Sequence, residues 1–307
     1  MDFLVTGGMG FIGRATIKEL IRRYPESQIT CLDNLSLSEF SDLGEQVEFV
    51  QGDVRNLDLV KELVDRCKIG IVHLAADSRV LPSLAEPYLV IESTQSNVLG
   101  TANVLVAITK AKFKPSLVYA GSSTAYGEVA IPHREDKLPS IQSPYSATKL
   151  AGELLVRSFV LTFGVKATVL RYFQVYGPGQ PSSGAYALVT GIFIRQFKEG
   201  APLTIEGDGL QTRDFVHVRD VARANVLGLS FHSMGQPINI GSGKAFSIQE
   251  LADMISSNQV HRPARRIDLK DTLADTSLAE RLLGWKAEID LAAGIEELKT
   301  FSQHQKI

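Results

Sequence analysis

Phe3-Leu4-Val5-Thr6-Gly7-Gly8-Met9-Gly10-Phe11-Ile12-Gly13 is the stretch on which the reading of this chain turns. Four apolar or β-prone residues run into a glycine cluster. Apolar residues then recur at helical spacing (Phe11, Ile12, Ala15, Ile17, Leu20, Ile21) as far as Tyr24. Strand, glycine loop and helix therefore follow in order. Gly7 permits the tight turn, Gly10 lets backbone approach a pyrophosphate, and Gly13 lets the helix lie close on the sheet. Phe11 and Ile12 open a helix whose unpaired N–H groups face the phosphates. Asp33 ends the next apolar run, Ile29–Leu32, 20 positions after Gly13. A carboxylate there accepts hydrogen bonds from ribose hydroxyls and repels a 2′-phosphate, which favours NAD over NADP. Asp53-Val54 follows the third run, Val47–Gln51. Its Asp suits either an adenine contact or a cap.

Outward from that unit the alternation continues. Leu57–Cys67, Val90–Ala111 and Tyr145–Phe163 have helical patterns, while Ile69–Leu74, Ser116–Ala120 and Lys166–Tyr172 are short apolar runs. The expected fold is α/β: a Rossmann-type, doubly wound parallel sheet with helices on both faces. After Tyr176 the pattern changes. Residues 177–184 are a loop by composition, and the remainder mixes helices with short strands, as expected of a smaller α/β substrate-binding cap. The expected division is residues 1–172 for the nucleotide-binding domain, with sheet returns near Asp214–Val218 and Ile238–Gly241. Residues 173–213 and 242–307 are left for the cap.

Composition narrows the function. The 307 residues are 44% hydrophobic and 21% charged, with a net charge of −2. These values exclude a disordered, collagenous or coiled-coil chain and give no basic field for nucleic acid. Two cysteines, Cys31 and Cys67, make no disulfide framework, and no metal-ligand cluster is visible. No apolar run reaches membrane-spanning length. The expectation is a cytoplasmic protein with no metal, membrane or nucleic-acid partner.

Tyr145-Ser146-Ala147-Thr148-Lys149 places a phenol and an ammonium four residues apart, on one face of a helix start. A neighbouring cation stabilises phenolate, so the Tyr145 pKa is expected to fall toward neutrality. Such a phenol can exchange a proton with a sugar hydroxyl or ketone while hydride moves to or from a nicotinamide. Ser122-Ser123-Thr124 follows a strand, where hydroxyls meet ligands in sheets of this kind. Ser122 can there relay a hydrogen bond between Tyr145 and substrate.

Together these residues resemble the extended short-chain dehydrogenase/reductase superfamily, in its nucleotide-sugar epimerase/dehydratase branch. The resemblance also takes in Asp33-Asn34, His73-Leu74-Ala75-Ala76, Asn97 to Thr101, Arg171-Tyr172-Phe173, Tyr176 to Gly179, Arg213-Asp214-Phe215 and Leu283-Gly284-Trp285. It implies NAD as cofactor, with Asn34, Leu74, Ala75, Ala76, Asn97 and Tyr172 beside it as well as the glycine loop, Asp33, Asp53, Val54, Tyr145 and Lys149. It implies a UDP-sugar in the cap, with Ser122, Tyr145 and Lys149 catalytic. Arg213 and Arg265 would lie on the diphosphate, which suits forked guanidinium donors, and Asp268 on the nucleoside ribose. A homodimer is implied too. Three departures stand out. Gln174 replaces the usual Asn, Gly121 replaces a Ser, and Ser123 and Thr124 replace the acidic pair that dehydratases use. The last disfavours dehydration. Thr272 falls where epimerases restricted to non-acetylated sugars carry a bulky Tyr, so room for an N-acetyl group is expected. The expected activity is C4 epimerisation of UDP-GlcNAc, or of UDP-glucose, through a 4-keto sugar. Dehydratase, decarboxylase or reductase chemistry is the alternative, and a silent NAD-binding module the remote one.

Overall fold

The computed structural model describes residues 1–264 and 269–301, the side chain of Leu81 apart. The strands are β1 (Phe3–Thr6), β2 (Ile29–Asp33), β3 (Val47–Gln51), β4 (Gly70–His73), β5 (Ser116–Ser122), β6 (Ala167–Tyr172), β7 (Gln174–Tyr176), β8 (Leu203–Glu206), β9 (Thr212–His217), β10 (Pro237–Ile240), β11 (Ala245–Ser247) and β12 (Gln259–Arg262). The helices are α1 (Phe11–Arg23), α2 (Leu57–Arg66), α3 (Val80–Ala85), α4 (Leu89–Thr94), α5 (Gly100–Lys110), α6 (Pro144–Phe163), α7 (Val189–Lys198), α8 (Val218–Leu229), α9 (Ile248–Ile255), α10 (Ser277–Leu283) and α11 (Leu291–Thr300).

Among the described residues seven strands form one sheet in the order β10-β6-β5-β4-β1-β2-β3. Every pairing in it is parallel. The order reverses between β1 and β4, and an open parallel sheet of this kind binds ligands outside the strand C-termini at that reversal. Both faces are covered, so β1, β2, β4 and β6 are buried along their whole length. One apolar cluster packs beneath α1 and α8, around Ile17, Leu20, Val72 and Val221. The other packs beneath α2, α5 and α6, around Leu4, Leu63, Val104 and Val156. At roughly 1.5–3 kcal/mol per buried aliphatic side chain, these clusters are what hold the sheet flat against its helices.

The Rossmann-type expectation is met. One detail is corrected: β9, expected as a return of the large sheet, lies in a separate three-stranded sheet, β11-β9-β7. Its two apolar residues divide between cores: Phe215 packs with Tyr176, Phe193, Leu251 and Ile295, and Val216 joins the cluster beneath α1 and α8. Among the described residues only β10 rejoins the large sheet, parallel to β6. A second difference concerns the stretch expected as one helix over Val90–Ala111. It is interrupted by a π-helical turn at Gln95–Leu99, which leaves Asn97 buried.

Candidate active site

The glycine loop joins β1 to α1 with each glycine under a different constraint. Gly7 has φ of 70°, and a Cβ there would stand 2.7 Å from the Ala75 nitrogen. A Cβ on Gly13 would come within 2.3 Å of the Gly7 carbonyl oxygen. A Cβ on Gly10 would meet only that same oxygen, at 3.2 Å, so its outer side is open to a ligand. Phe11 and Ile12 pack inward against the core. The Asp33 carboxylate at the end of β2 reaches back to the loop. It accepts hydrogen bonds from Met9 N at 3.0 Å and Leu35 N at 2.8 Å. Asn34 donates to Asp53 at 2.8 Å. Arg55, hydrogen-bonded to Asp53, holds that carboxyl down at about 2. Val54 is buried, and its carbonyl accepts from Asn103. These pieces form a cradle at the C-terminal ends of β1, β2 and β3 whose shape and charge fit a dinucleotide.

Across the reversal, Leu74 and Ala75 bond back to Thr6, and Ala76 is half-buried. The Thr101 hydroxyl donates to the Asn97 carbonyl at 2.7 Å, so it can only accept from His73 Nε2 at 3.1 Å. His73 is therefore the Nε2–H tautomer, and its Nδ1 accepts from Thr6 at 2.7 Å. Burial keeps it neutral, with its pKa pushed down to about 3.

Helix α6 begins at a capping box made by Ser143 and Ser146, with Pro144 in the first turn. That start delivers Tyr145 and Lys149 to the crevice, where Ser122 ends β5 beside Tyr172 of β6. Tyr145 and Lys149 are both buried. The expected fall of the Tyr145 pKa is not what the chain alone produces. Burial pushes the phenol up to about 12, a hydrogen bond with Ser122 pulls it back, and the Asp77 charge adds to the rise. Lys149 does not offset this because its ammonium lies over the Tyr119 ring, 4.7 Å from the centroid. Burial lowers the Lys149 pKa to about 8, against the upward pull of Glu153. Ser122 also shares a 2.9 Å hydrogen bond with Thr124, and Ser123 lies half-buried between them.

Other expected residues are committed within the protein. The Asn97 amide accepts from Asp77 N at 2.8 Å and donates to Asp77 O and Thr148 Oγ1, both at 2.9 Å. The Tyr172 phenol donates to Asn225 at 2.6 Å. Arg213 on β9 donates to the Thr212 carbonyl at 2.7 Å. Gln174 opens β7, half-buried. Thr272 is buried, and its hydroxyl accepts from Asp214 N at 3.2 Å. Packing thus accounts for a small residue at that position. Arg265 and Asp268 lie outside the described residues.

Sequence reasoning passed over two groups. Asp77, Arg79, Ser93 and Tyr186 form a polar cluster past the end of β4, linked through Asn97 and Thr148 to the Tyr145 carbonyl. Glu153 forms a buried 2.6 Å ion pair with Arg171, whose guanidinium also sits 4.8 Å over Tyr126. The four-residue spacing Tyr145, Lys149, Glu153 could have revealed the second group.

The sequence profile of the NAD dependent epimerase/dehydratase family matches residues 3–241. The chain belongs to that family. Its cofactor is NAD, and the cradle described above suits it. UDP-glucuronate 4-epimerase of Thermodesulfobacterium geofontis is 32% identical over 324 aligned positions, covering 98% of this chain and 96% of that one. The solved UDP-glucose 4-epimerase of Thermotoga maritima, with UDP-glucose, superposes with a TM-score of 0.90 at 30% identity, covering 97% of each chain. The UDP-N-acetylglucosamine 4-epimerase of Methanobrevibacter ruminantium, in complex with UDP-N-acetylmuramic acid, gives 0.88 at 32% identity, covering 97% of this chain and 96% of that one. No helix among the described residues of this epimerase/dehydratase family member is long and apolar enough to cross a membrane.

Proposed function

We propose that this chain inverts C4 of a UDP-sugar through a transient 4-keto intermediate. The observation that carries the proposal is Tyr145 and Lys149, one turn apart and buried at the start of α6, with Ser122 at the end of β5 beside Tyr145 and a cradle that suits NAD nearby. Bound NAD supplies the hydride acceptor for C4 and then the donor. Tyr145 takes the proton of the 4-hydroxyl and later returns it. Ser122 holds the 4-oxygen against Tyr145. Lys149 stays cationic below about pH 8 and holds the nicotinamide ribose, and it stabilises the phenolate only once that contact draws its ammonium off the Tyr119 ring toward Tyr145. Asp33 holds the adenosine ribose, and the glycine loop the pyrophosphate. Residues 1–172 carry the cofactor, and the region around β7, β9 and β11 carries the sugar nucleotide, with Gln174 and Arg213 on its polar groups.

Ser123 and Thr124 cannot ionise usefully, which favours epimerisation over loss of water. UDP-GlcNAc and UDP-GalNAc are the first pair to test, because the 32% identical Methanobrevibacter ruminantium structure is a UDP-N-acetylglucosamine 4-epimerase, and UDP-glucose and UDP-galactose are the second. The enzyme acts as a homodimer. It belongs to the cytoplasm, since both cysteines are buried free thiols that suit a reducing compartment.

Proton NMR with mass spectrometry of NAD-loaded protein incubated separately with UDP-GlcNAc, UDP-glucose and UDP-glucuronate tests this reading. A C4 epimer at unchanged mass is expected. Loss of water or carbon dioxide would replace epimerisation by another reaction of the 4-keto sugar. Tyr145→Phe should keep NAD yet lose at least about 100-fold in kcat, and normal turnover in that variant would refute the assignment.

A further inference from the structure

Lys149 is 5% exposed, yet among the described residues its ammonium makes no hydrogen bond and no ion pair. Its Nζ stands instead over a ring face, 4.7 Å from the centroid of Tyr119. A desolvated cation gains most from such a contact, because no water competes for it. Tyr119 is itself fixed. It lies in β5, 1% exposed, within the apolar cluster beneath α2, α5 and α6. The His73 ring stands 6.0 Å from it, tilted by 42°. The Tyr119 hydroxyl donates to the Lys149 carbonyl at 3.1 Å. Gly152 leaves room for that hydroxyl, since any side chain at 152 would strike it. Tyr119 thus holds Lys149 at both ends, the main chain through its hydroxyl and the ammonium through its ring.

We propose, resting on the C4-epimerase reading in which Lys149 holds the nicotinamide ribose, that Tyr119 is a positioning residue whose ring seats the Lys149 ammonium while the ribose site is empty, and that the ammonium leaves this seat to reach the ribose. One cation then has two positions. On the ring it is stabilised without water and gives no help to the Tyr145 phenol, which burial pushes up to about 12. Off the ring it is free to serve the ribose and the phenolate. The seat therefore competes with the cofactor for the same ammonium. A protein whose binding-competent form is only a fraction of the whole binds its ligand more weakly by that fraction. The competition also keeps the phenol un-ionised until the cofactor is in place, so base and hydride acceptor are made ready together. The Tyr119 hydroxyl has a separate part. By holding the Lys149 carbonyl it keeps this turn of α6 in place whichever position the ammonium takes.

Tyr119→Leu removes the ring, and Tyr119→Phe keeps it. Calorimetric titration of the full chain with NAD should show Tyr119→Leu binding roughly 3- to 30-fold more tightly than wild type, and Tyr119→Phe at wild-type strength. Lost packing alone would weaken NAD binding in Tyr119→Leu, so the sign separates a seat from a scaffold. In a Lys149→Met background, Tyr119→Leu should no longer tighten NAD binding, because the coupling needs the ammonium. The seat is also read with Tyr119 intact, so a leucine variant that fails to fold does not remove the test. In protein carrying carbon-13 lysine, with Lys149→Met giving the assignment, the ring should shift the ε-methylene protons of Lys149 upfield. Addition of NAD should return them to the ordinary lysine position. Protons at the ordinary position before NAD is added, or NAD binding that is unchanged or weaker in Tyr119→Leu, would overturn the proposal. Neither readout needs turnover. Protein that epimerises no UDP-sugar yet shows both effects would remove the C4-epimerase reading and leave the seat standing.

Discussion

At the scale of single residues, the glycine loop separates folding from binding. A methyl group on Gly13 meets backbone on two sides, the Gly7 oxygen at 2.3 Å and the Gly8 Cα at 2.6 Å. Neither can yield without moving α1 off the sheet. Gly13→Ala should therefore destabilise the protein by about 2–3 kcal/mol, the range of core overpacking, and weaken NAD binding with it. Gly10→Ala meets only one atom at 3.2 Å. It should unfold at the wild-type denaturant midpoint while binding NAD roughly 10-fold or more weakly, because the methyl stands where the pyrophosphate must come close. Denaturant titration and isothermal calorimetry separate the two outcomes, and equal stability loss in both variants would contradict this division. The glycines, Tyr145 and Lys149 were legible because spacing along one chain segment encodes them. Asp77 was not. Its neighbours Arg79, Ser93 and Tyr186 come from three segments, and nothing local in Asp77-Ser78-Arg79 distinguishes it from a solvated loop.

At the scale of elements, α6 carries more than the Tyr–Lys pair. One turn beyond Lys149, Glu153 pairs with Arg171 of β6 with both side chains under 9% exposed. The pair locks the helix to the strand and supplies the charge that holds the Lys149 pKa up against burial. Glu153→Gln breaks a buried ion pair and strands a guanidinium whose Nη1 already lacks a partner among the described residues. The expected cost is about 3–5 kcal/mol by urea unfolding. The variant should also show a second effect. The ammonium form of Lys149 is lost as pH rises through its pKa of about 8. Removing the Glu153 charge lowers that pKa, so the alkaline limb of activity should move to lower pH. An unmoved limb would show that Glu153 acts on packing alone. Strands β1, β2, β4, β5 and β6 were legible because residues buried on both faces read as largely apolar runs, and β3, at the sheet edge, through its short Val-Glu-Phe-Val run. The placing of β9 was not, since its apolar pair Phe215-Val216, which packs into two different cores, reads the same in either sheet. Nor was the π-helical turn at Gln95–Leu99, which adds one residue per turn without a signal in composition.

At the scale of the whole molecule, the sheet and its two clusters satisfy the buried faces of the helices, yet α4, the π-helical turn after it and α6 expose large apolar side chains. Leu154 is 54% exposed and Leu161, seven residues on, 65%, so both lie on one outward face of α6. Ile91 of α4 is 56% exposed, and Leu99, in the π-helical turn, 48%. A patch of large aliphatic side chains on adjacent helices is unusual on a protein that works alone. A second copy of this chain, related by a two-fold axis, would cover it with the same helices. Sedimentation equilibrium should accordingly return about twice the 33.5 kDa chain mass. Because Leu154 and Leu161 point out of the folded chain, Leu154→Asp with Leu161→Asp removes no core contact. The double variant should keep its far-ultraviolet dichroism and its affinity for NAD while sedimenting as a single chain, since two buried carboxylates facing their symmetry copies disfavour association by several kcal/mol. A wild-type protein that sediments at the mass of one chain would mean that this face is covered by something other than its own copy. A double variant that remains dimeric would place the contact on other helices.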